Sequence, residues 1–252
     1  MIRIGLLGCG NIGHIIAKNR ENCEIVALYD QVFPRAQELA EICGGRAFPD
    51  FDSFIAADFE YVVEAASVRA ARQYGGIALS RGKNLILLSV GALADPSFRE
   101  TLLGVATAHG RRVFVPSGAV TGLDNLKVGQ ISPIRRLLLR TTKSPGSLGV
   151  QATERRLVFR GKAHECIKEF PRNVNVSVAL SLAAGRDADV ELYADPEVSR
   201  NIHEIEAEGD FGEIYIRVSN VPSPDNPATS YLAALSILTL LRNLDSALVV
   251  GT

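Results

Sequence analysis

The stretch Ile2–Ile16, IRIGLLGCGNIGHII, joins an apolar run to three glycines spaced as G-x-G-x-x-G and then to a helical pattern. In such a pattern the first glycine, Gly8, permits a tight turn at the end of a strand. The second, Gly10, lets a pyrophosphate approach the backbone without meeting a Cβ atom, and Gly13 lets the helix pack closely on the sheet. The stretch therefore predicts a strand, a turn and a helix that together bind a dinucleotide.

The residues that follow strengthen this prediction. The first helical turn, at Asn11 and Ile12, would present unsatisfied N–H groups and the positive end of the helix dipole to the phosphates. A second apolar run, Glu24–Tyr29, ends in Asp30, about twenty residues beyond the glycines, where the fingerprint has the acidic residue that binds the ribose. A glycine turn that binds nothing is the alternative, and this second strand with its acidic end argues against it.

The composition favours an enzyme that acts on small soluble metabolites. The chain has 252 residues, of which 22% are charged, and a formal net charge of -1, so no broad field attracts nucleic acid or an anionic membrane. We expect no signal peptide and no membrane span, and therefore a cytoplasmic location. The four cysteines have no metal-ligand spacing, so we expect reduced thiols and no metal site.

Short apolar runs and helical patterns alternate through the first half of the chain, which predicts an α/β fold with a Rossmann-type doubly wound parallel sheet. We place this dinucleotide-binding domain at residues 1–119 and expect a C-terminal helix within 225–252 to complete it. The predicted strands are followed by small residues, among them Ala66, Ser67 and Ser89, at the edge where such sheets bind ligands. Ala66 and Ser67 are therefore candidate cofactor contacts, and Ser89 is a candidate donor to a substrate carboxylate.

Residues 120–224 mix strands with helices, which predicts a second, α+β domain with a mixed sheet that binds the substrate. The predicted elements include strands over 200–208 and 211–219 and helices over 171–184 and 228–244. The last of these helices is apolar on nearly every side, so we expect it to be buried against the first domain.

Of the four histidines, His203 is the one that lies in the middle of a predicted strand. The two-residue period of a strand places it on one sheet face with Asn201 and Ile205. From this position alone, a structural histidine whose ring nitrogens are hydrogen-bonded within the protein is at least as good an interpretation as a catalytic histidine. The other histidines lie in helical patterns or among charged residues and are interpreted as surface or capping side chains.

Further polar residues lie at the predicted starts of helices. Asn173 and Asn175 are either helix caps or amides that contact a ligand. Thr229 and Ser230 either begin the last helix or donate to an anion there. We take Asn173 as a candidate cofactor contact and the other three, with Ser89, as candidates for binding the substrate.

Basic residues cluster in and just after a strand that the pattern predicts over 135–142. They are Arg135, Arg136, Arg140 and Lys143. Charges in such a position are most simply interpreted as solvated side chains of a strand or loop, and we assign them no function.

A series of short motifs, spread through both predicted domains, follows the order of one known family. They are GCGNIG (8–13) with Asp30, VVEAAS (62–67), PSGAVTGLD (116–124), FPRNVNV (170–176), ADP (194–196), NIHEI (201–205) and PSPDNPATS (222–230). In this combination the chain closely resembles the L-aspartate dehydrogenase family over essentially its whole length. One position departs from the family pattern, because Ala228 stands where the family often has lysine.

The resemblance implies a Rossmann domain followed by an α+β domain whose sheet forms a homodimer. It implies NAD- or NADP-dependent oxidative deamination of L-aspartate to iminoaspartate, which hydrolyses to oxaloacetate and ammonia and in some members feeds NAD biosynthesis. Matched by motif, the family's cofactor contacts lie at Ala119 and Asn173, and its catalytic histidine at His203. Such a reaction needs a base, which we expect to have a pKa near neutrality. Arg35 follows Asp30 closely enough to meet a 2′-phosphate, so NAD and NADP both stay open.

Two other functions fit parts of the pattern. One is a Rossmann oxidoreductase of the homoserine dehydrogenase or dihydrodipicolinate reductase type, against which the NIHEI and NPATS elements argue. The other is a regulatory protein that senses NAD(P) without turnover. Reduction of the cofactor in the presence of a panel of amino acids separates the three.

Overall fold

The structure, a computed structural model, describes residues 1–21, 23–170, 174–223 and 226–251. These residues form two compact units, each with its own large sheet. The first unit comprises Met1–Pro116 and Ala233–Val250, and the second comprises Ser117–Leu232 with Gly251.

Strands and helices alternate along the first unit. They are β1 (Ile2–Leu7), α1 (Asn11–Lys18), β2 (Cys23–Tyr29), α2 (Phe33–Cys43), β3 (Arg46–Ala47), α3 (Phe51–Ile55), β4 (Tyr61–Glu64), α4 (Val68–Ser80), β5 (Asn84–Leu87), α5 (Pro96–Ala108) and β6 (Val113–Phe114). The strands form a parallel six-stranded sheet in the order β3-β2-β1-β4-β5-β6, which confirms the predicted doubly wound fold. The order reverses between β1 and β4, where sheets of this class bind ligands.

Local sequence accounts for where these helices begin and end. The Ser67 hydroxyl accepts a hydrogen bond from the Ala70 N–H at 3.1 Å and caps α4. Asp95 caps α5 in the same way, and Pro96 occupies the first position of that helix, where its missing N–H costs nothing. Gly44 ends α2 in the left-handed conformation, with φ at 74°.

The last helix, α10 (Tyr231–Leu244), contributes apolar side chains to the core of the first unit. Ala233, Ile237 and Leu241 are buried in the same cluster as Leu6 of β1. This arrangement agrees with the apolar pattern of the helix. Neither α10 nor any other helix within the described residues is long and apolar enough to cross a membrane.

All four cysteines are buried free thiols. Burial raises the pKa of Cys9 to about 12 and the pKa values of Cys23 and Cys166 to about 11. Because the thiolate is the reactive form of cysteine, these thiols are unreactive at neutral pH.

The second unit is an α+β domain. Its elements are α6 (Leu123–Leu126), β7 (Ile134–Lys143), α7 (Pro145–Leu148), β8 (Arg156–Lys162), α8 (Ala163–Glu169), α9 (Val174–Ala184), β9 (Asp189–Ala194), β10 (Asn201–Gly209), β11 (Gly212–Asn220), β12 (Pro222–Ser223) and β13 (Asn226–Ser230). Five strands form a mixed sheet in the order β11-β10-β7-β9-β8, in which only the β7–β9 pair is parallel. A mixed sheet is what the sequence predicts for this domain.

One face of this sheet, which we call the inner face, carries the core of the second unit. Leu139 and Ile205 lie opposite each other on it and pack with Cys166 of α8 and Leu180 of α9. Because side chains alternate along a strand, the inner positions of β7 and β10 can be read from this pair. They are Leu137, Leu139, Thr141 and Lys143 on β7, and Ala207, Ile205, His203 and Asn201 on β10.

The segment before α10 differs from the sequence prediction. We expected a helix from Ala228, but residues 226–230 form strand β13, which pairs with β12, and the helix begins at Tyr231. The reason lies in the hydrogen bonds of this hairpin. The Tyr231 N–H donates to the Val221 carbonyl at 3.0 Å, and the Ser230 hydroxyl donates to the Asn220 side chain at 2.5 Å. The prediction that the last helix starts at Ala228 is therefore wrong.

The limits of the units also differ from the boundaries we placed at 119 and 225. The structure places residues 117–119 and 226–232 in the second unit. A hydrogen bond from the Asn220 side chain to the Ala119 carbonyl, at 2.9 Å, ties the first of these segments to β11.

Candidate functional site

The glycine-rich turn after β1 has the geometry that its sequence predicts. Gly8 has φ at +102°, which favours glycine, and its N–H donates to the Tyr29 carbonyl at 2.9 Å. A Cβ atom on Gly8 would lie 2.7 Å from Ala66, in the loop after β4. Gly8 thus brings the loops of two neighbouring strands together at the reversal point of the sheet.

The other two glycines of the motif have different reasons to be glycine. A Cβ atom on Gly13 would lie 2.8 Å from the Gly8 carbonyl oxygen, so close packing within the protein excludes a side chain there. A Cβ atom on Gly10 would meet no atom within 4 Å, and the φ of Gly10 is an ordinary -85°. Protein packing therefore explains Gly8 and Gly13 but leaves open space at Gly10, where the fingerprint places a pyrophosphate.

The start of α1 is also suited to an anion. Gly10 caps this helix without a side-chain hydrogen bond, and no acidic residue lies in the first turn at Asn11 and Ile12. The backbone N–H groups and the helix dipole are therefore not offset by a carboxylate of the helix itself. The turn fits a dinucleotide phosphate.

Asp30 lies at the end of β2 with its carboxylate directed by the backbone. One oxygen accepts a hydrogen bond from the Cys9 N–H at 2.9 Å, and the other accepts one from the Val32 N–H at 2.8 Å. Each carboxylate oxygen can accept more than one hydrogen bond, so both keep capacity for ribose hydroxyls. Arg35 is exposed in the first turn of α2.

Glu64, for which the sequence pattern predicts no role, is completely buried at the end of β4. Its carboxylate accepts hydrogen bonds of 2.9 Å from the N–H groups of Ala66 and Ser67 and from both the N–H and the hydroxyl of Ser89. Burial raises the pKa of Glu64, while these donors act in the opposite direction. The side chain joins the loop after β4 to the loop after β5.

This carboxylate sets the positions of three predicted site residues. Ala66 and Ser67 stay candidates for cofactor contacts, with their N–H groups held by Glu64. The Ser89 hydroxyl donates to Glu64, so it could bind a substrate carboxylate only by giving up this bond. The sequence YVVEAAS places the Glu64 carboxylate directly after an apolar run, which could have marked it as a candidate. The pattern does not reveal which groups hydrogen-bond to Glu64.

In the second unit, the inner face of the sheet changes from apolar to polar side chains toward one end. Thr141 and Lys143 follow Leu139 on β7, and His203 and Asn201 precede Ile205 on β10. We call these four residues the polar end of the inner face: Thr141, Lys143, Asn201 and His203.

His203 lies opposite Thr141 in the sheet, and only 4% of its surface is exposed. Its Nδ1 atom is hydrogen-bonded to the Thr141 hydroxyl at 2.9 Å. Burial, together with the positive charge of Lys143, lowers the pKa of His203 to about 3. The imidazole is therefore neutral at physiological pH, and its pKa lies far below the near-neutral value that we expected.

The remaining predicted residues of this unit are partly described. The Ala119 carbonyl accepts a hydrogen bond from the Asn220 side chain, and Ser230 is buried and donates to the same side chain. Asn175 is exposed in the first turn of α9. Asn173 lies outside the described residues, and so does the side chain of Thr229, whose backbone belongs to β13.

Comparison with known proteins gives a consistent assignment for both units. Residues 124–244 match the family model described as the C-terminal domain of aspartate dehydrogenase. Residues 5–116 match the model described as the NAD-binding domain of homoserine dehydrogenase. The L-aspartate dehydrogenase of Methanospirillum hungatei JF-1 is 61% identical over 252 residues, which covers 100% of both chains. The chain belongs to the L-aspartate dehydrogenase family.

Other members of the family agree with this assignment. The L-aspartate dehydrogenase of Methanothermobacter thermautotrophicus is 41% identical to this chain, with 100% of this chain and 99% of that protein covered. The crystal structure of aspartate dehydrogenase from Thermotoga maritima superposes with a TM-score of 0.85 and 32% identity, and the match covers 100% of both chains. The predicted family is confirmed. The match to homoserine dehydrogenase is confined to the NAD-binding domain.

The different reasons for Gly10 and Gly13 lead to a test of the dinucleotide turn. Gly10→Val should abolish NAD binding and leave the fold intact, because its side chain enters space that the protein does not use. Gly13→Ala should lower the free energy of unfolding by about 1–3 kcal/mol, because its Cβ atom meets a backbone oxygen. Calorimetric titration with NAD and denaturant unfolding measure the two effects. Unimpaired NAD binding by Gly10→Val would show that the loop is only a turn.

The low pKa of His203 makes stability depend on pH. The unfolded histidine, with a pKa of 6.5, binds a proton more tightly than the folded one, with a pKa of about 3. Stability therefore falls as the pH drops through this window, and His203 accounts for about 2 kcal/mol between pH 7 and pH 5. His203→Gln removes this contribution. Between pH 7 and pH 5, the free energy of unfolding of the variant should therefore decrease less than that of the parent. Urea unfolding at both pH values tests this, and equal decreases would contradict it.

Proposed function

We propose that this chain oxidises L-aspartate with NAD or NADP and forms iminoaspartate, which hydrolyses to oxaloacetate and ammonia. The observation that carries the proposal is a neutral, buried histidine, held by Thr141 at the polar end of the inner face, in a domain that matches aspartate dehydrogenase. The first unit supplies the dinucleotide turn and Asp30. Membership of the family, with 61% identity to the L-aspartate dehydrogenase of Methanospirillum hungatei JF-1, supports the choice of substrate.

The reaction divides between the cofactor and the protein. Held by the dinucleotide turn and Asp30, NAD(P) would supply the acceptor for a hydride from Cα of L-aspartate. The protein must remove a proton from the substrate ammonium group, so that the nitrogen lone pair can form the C=N bond. Water then adds to that carbon, loses a proton, and ammonia leaves as the carbonyl of oxaloacetate forms. Both proton transfers need a neutral base near the reacting atoms.

His203 is the base in this proposal. Because Nδ1 is hydrogen-bonded to Thr141, Nε2 is the nitrogen left for the reaction. A pKa of about 3 makes the imidazole a weak base before the substrate binds. The two carboxylates of L-aspartate favour the protonated imidazole when they lie nearby, so substrate binding raises the pKa of His203 toward the working range.

Further parts of the proposal rest on the family resemblance. In it, NAD(P) contacts include Ala119 and Asn173, in addition to the residues of the dinucleotide turn. The chain forms a homodimer through the sheet of the second unit, acts in the cytoplasm without nucleic acid or membrane partners, and supplies iminoaspartate for NAD biosynthesis.

The direct test is reduction of NAD and NADP by the purified protein with a panel of amino acids. L-Aspartate should support reduction, and His203→Ala should lower kcat on the order of 10²- to 10⁴-fold, as is typical when a positioned acid–base group is removed. NAD affinity, which depends mainly on the first unit in this proposal, should barely change. The measurements are initial rates and NAD binding by calorimetry on the same preparations.

His203→Gln serves as the matched control for folding, because it keeps a polar side chain of similar size at the buried position. If either variant is folded by its thermal midpoint and turns over L-aspartate at the parental rate, His203 is structural. No reduction by the parent with any amino acid would favour a protein that senses NAD(P) without turnover.

Asp30 should bias the enzyme toward NAD, because a carboxylate there repels the 2′-phosphate of NADP. Asp30→Asn removes the charge and keeps one acceptor oxygen for the loop, so the ratio of kcat/KM for NAD to that for NADP should fall by about tenfold. Arg35→Ala should shift this ratio in the opposite direction. Steady-state rates with both cofactors measure the ratio. An unchanged ratio in Asp30→Asn would show that Asp30 does not discriminate between a 2′-hydroxyl and a 2′-phosphate.

A further inference from the structure

Lys143 is an ionisable residue at the polar end of the inner face that the mechanism above does not use. It is the last residue of β7, two positions beyond Thr141 on the same face. We interpreted it from sequence as a solvated charge, but Lys143 is partly buried, and this burial lowers its pKa to about 8. Arg135 on the same strand shows the contrast, since its side chain is 64% exposed and pairs with Asp210 on the surface.

The surroundings of Lys143 come from three elements. Its charge lowers the pKa of His203 on β10 and also acts on the Cys166 thiol of α8. Its backbone pairs with Ala194 of β9, and its carbonyl accepts a hydrogen bond from the Asp195 N–H at 2.9 Å. Because His203 pairs with Thr141, Lys143 is a diagonal neighbour of His203 across the two strands, within reach of a long side chain.

Lys143 places a charge on a sheet face that is otherwise uncharged along β7. The earlier inner positions Leu137 and Leu139 are apolar and buried. Among the inner positions of β7 and β10, Lys143 is the single cation. A partly buried ionisable group that lies beside a proposed base indicates a role in binding or catalysis.

We propose that Lys143 binds a carboxylate of the substrate beside His203. The inference rests on the proposed function, whose substrate carries two carboxylates. An ammonium–carboxylate pair offsets the desolvation of both groups and forms a charge-assisted hydrogen bond. Lys143 is then a binding residue for the dicarboxylate, and His203 keeps the proton transfers.

The pairing also links substrate binding to the strength of the base. In the protein without substrate, the positive charge of Lys143 disfavours protonation of His203. A bound carboxylate compensates that charge, so the imidazole becomes a better base when the substrate is present. The arrangement would keep His203 neutral until L-aspartate occupies the site.

The test compares Lys143→Met, which keeps the length of the side chain without its charge, with Lys143→Arg, which keeps the charge. Lys162→Met is the matched control, because Lys162 lies in the same unit and its charge pairs with Asp189 at 2.6 Å on the surface. The measurements are KM and kcat with L-aspartate, NAD affinity, the thermal midpoint, and the Kd of succinate, a dicarboxylate that cannot react, by calorimetry with NAD present.

Lys143→Met should raise KM for L-aspartate and Kd for succinate by about 10- to 100-fold, the range for a hydrogen bond to a charged group, with NAD affinity unchanged. Lys143→Arg should restore part of the affinity, and Lys162→Met should match the parent. Parental KM and Kd in folded Lys143→Met would overturn the proposal, as would a loss of kcat alone, which would mean that the charge acts only through His203. No succinate binding by the parent would overturn it as well.

Failure of the proposed function gives a different result. If the parent binds succinate but does not reduce the cofactor with L-aspartate, the proposed reaction is wrong. The succinate affinities of the variants then still decide whether Lys143 binds a carboxylate.

Discussion

The hydrogen bond between Thr141 and His203 depends on the register of β7 against β10. In this register Leu139 faces Ile205 on the inner face, and Thr141 faces His203 one step further along. A slip of one strand by a single residue would turn its polar side chain to the opposite face, away from the partner. Apolar packing on the inner face is thus one of the constraints that bring the two side chains together.

The opposite face of the same sheet supports this register with charge. Arg136 pairs with Glu206 at 2.9 Å, and Arg140 pairs with Glu206 at 3.3 Å and with Glu191 of β9 at 3.1 Å. Such partly exposed ion pairs each contribute little to stability, but mismatched charges would oppose a shifted strand.

In the first unit, Glu64 has a comparable function, since it ties two loops together through four hydrogen bonds at the ends of β4 and β5. Each unit therefore places a buried ionisable group where the apolar part of a strand ends.

Much of this could be predicted from local sequence. The glycine turn, the place of Asp30 after β2 and the position of His203 on one sheet face with Ile205 follow from turn chemistry and from the period of a strand, and the structure agrees with these positions. Glu64 and Lys143 escaped prediction for one physical reason. A charged residue at the end of a strand has the same local pattern whether water or protein surrounds it, and only tertiary packing distinguishes the two. Strand β13 was missed because its pairing depends on β12, whereas the proline and polar residues in NPATS also fit a helix start.

The burial of the thiols has a practical consequence for spectroscopy. Cys9, Cys23 and Cys166 have pKa values of about 11 to 12, and Cys43 is also buried, so maleimides and other thiol reagents should label the folded protein slowly. A cysteine introduced at an exposed position would react much faster than the native four. A fluorophore or spin label could then be attached to one chosen site of the natural sequence, without first removing the cysteines that fill its cores.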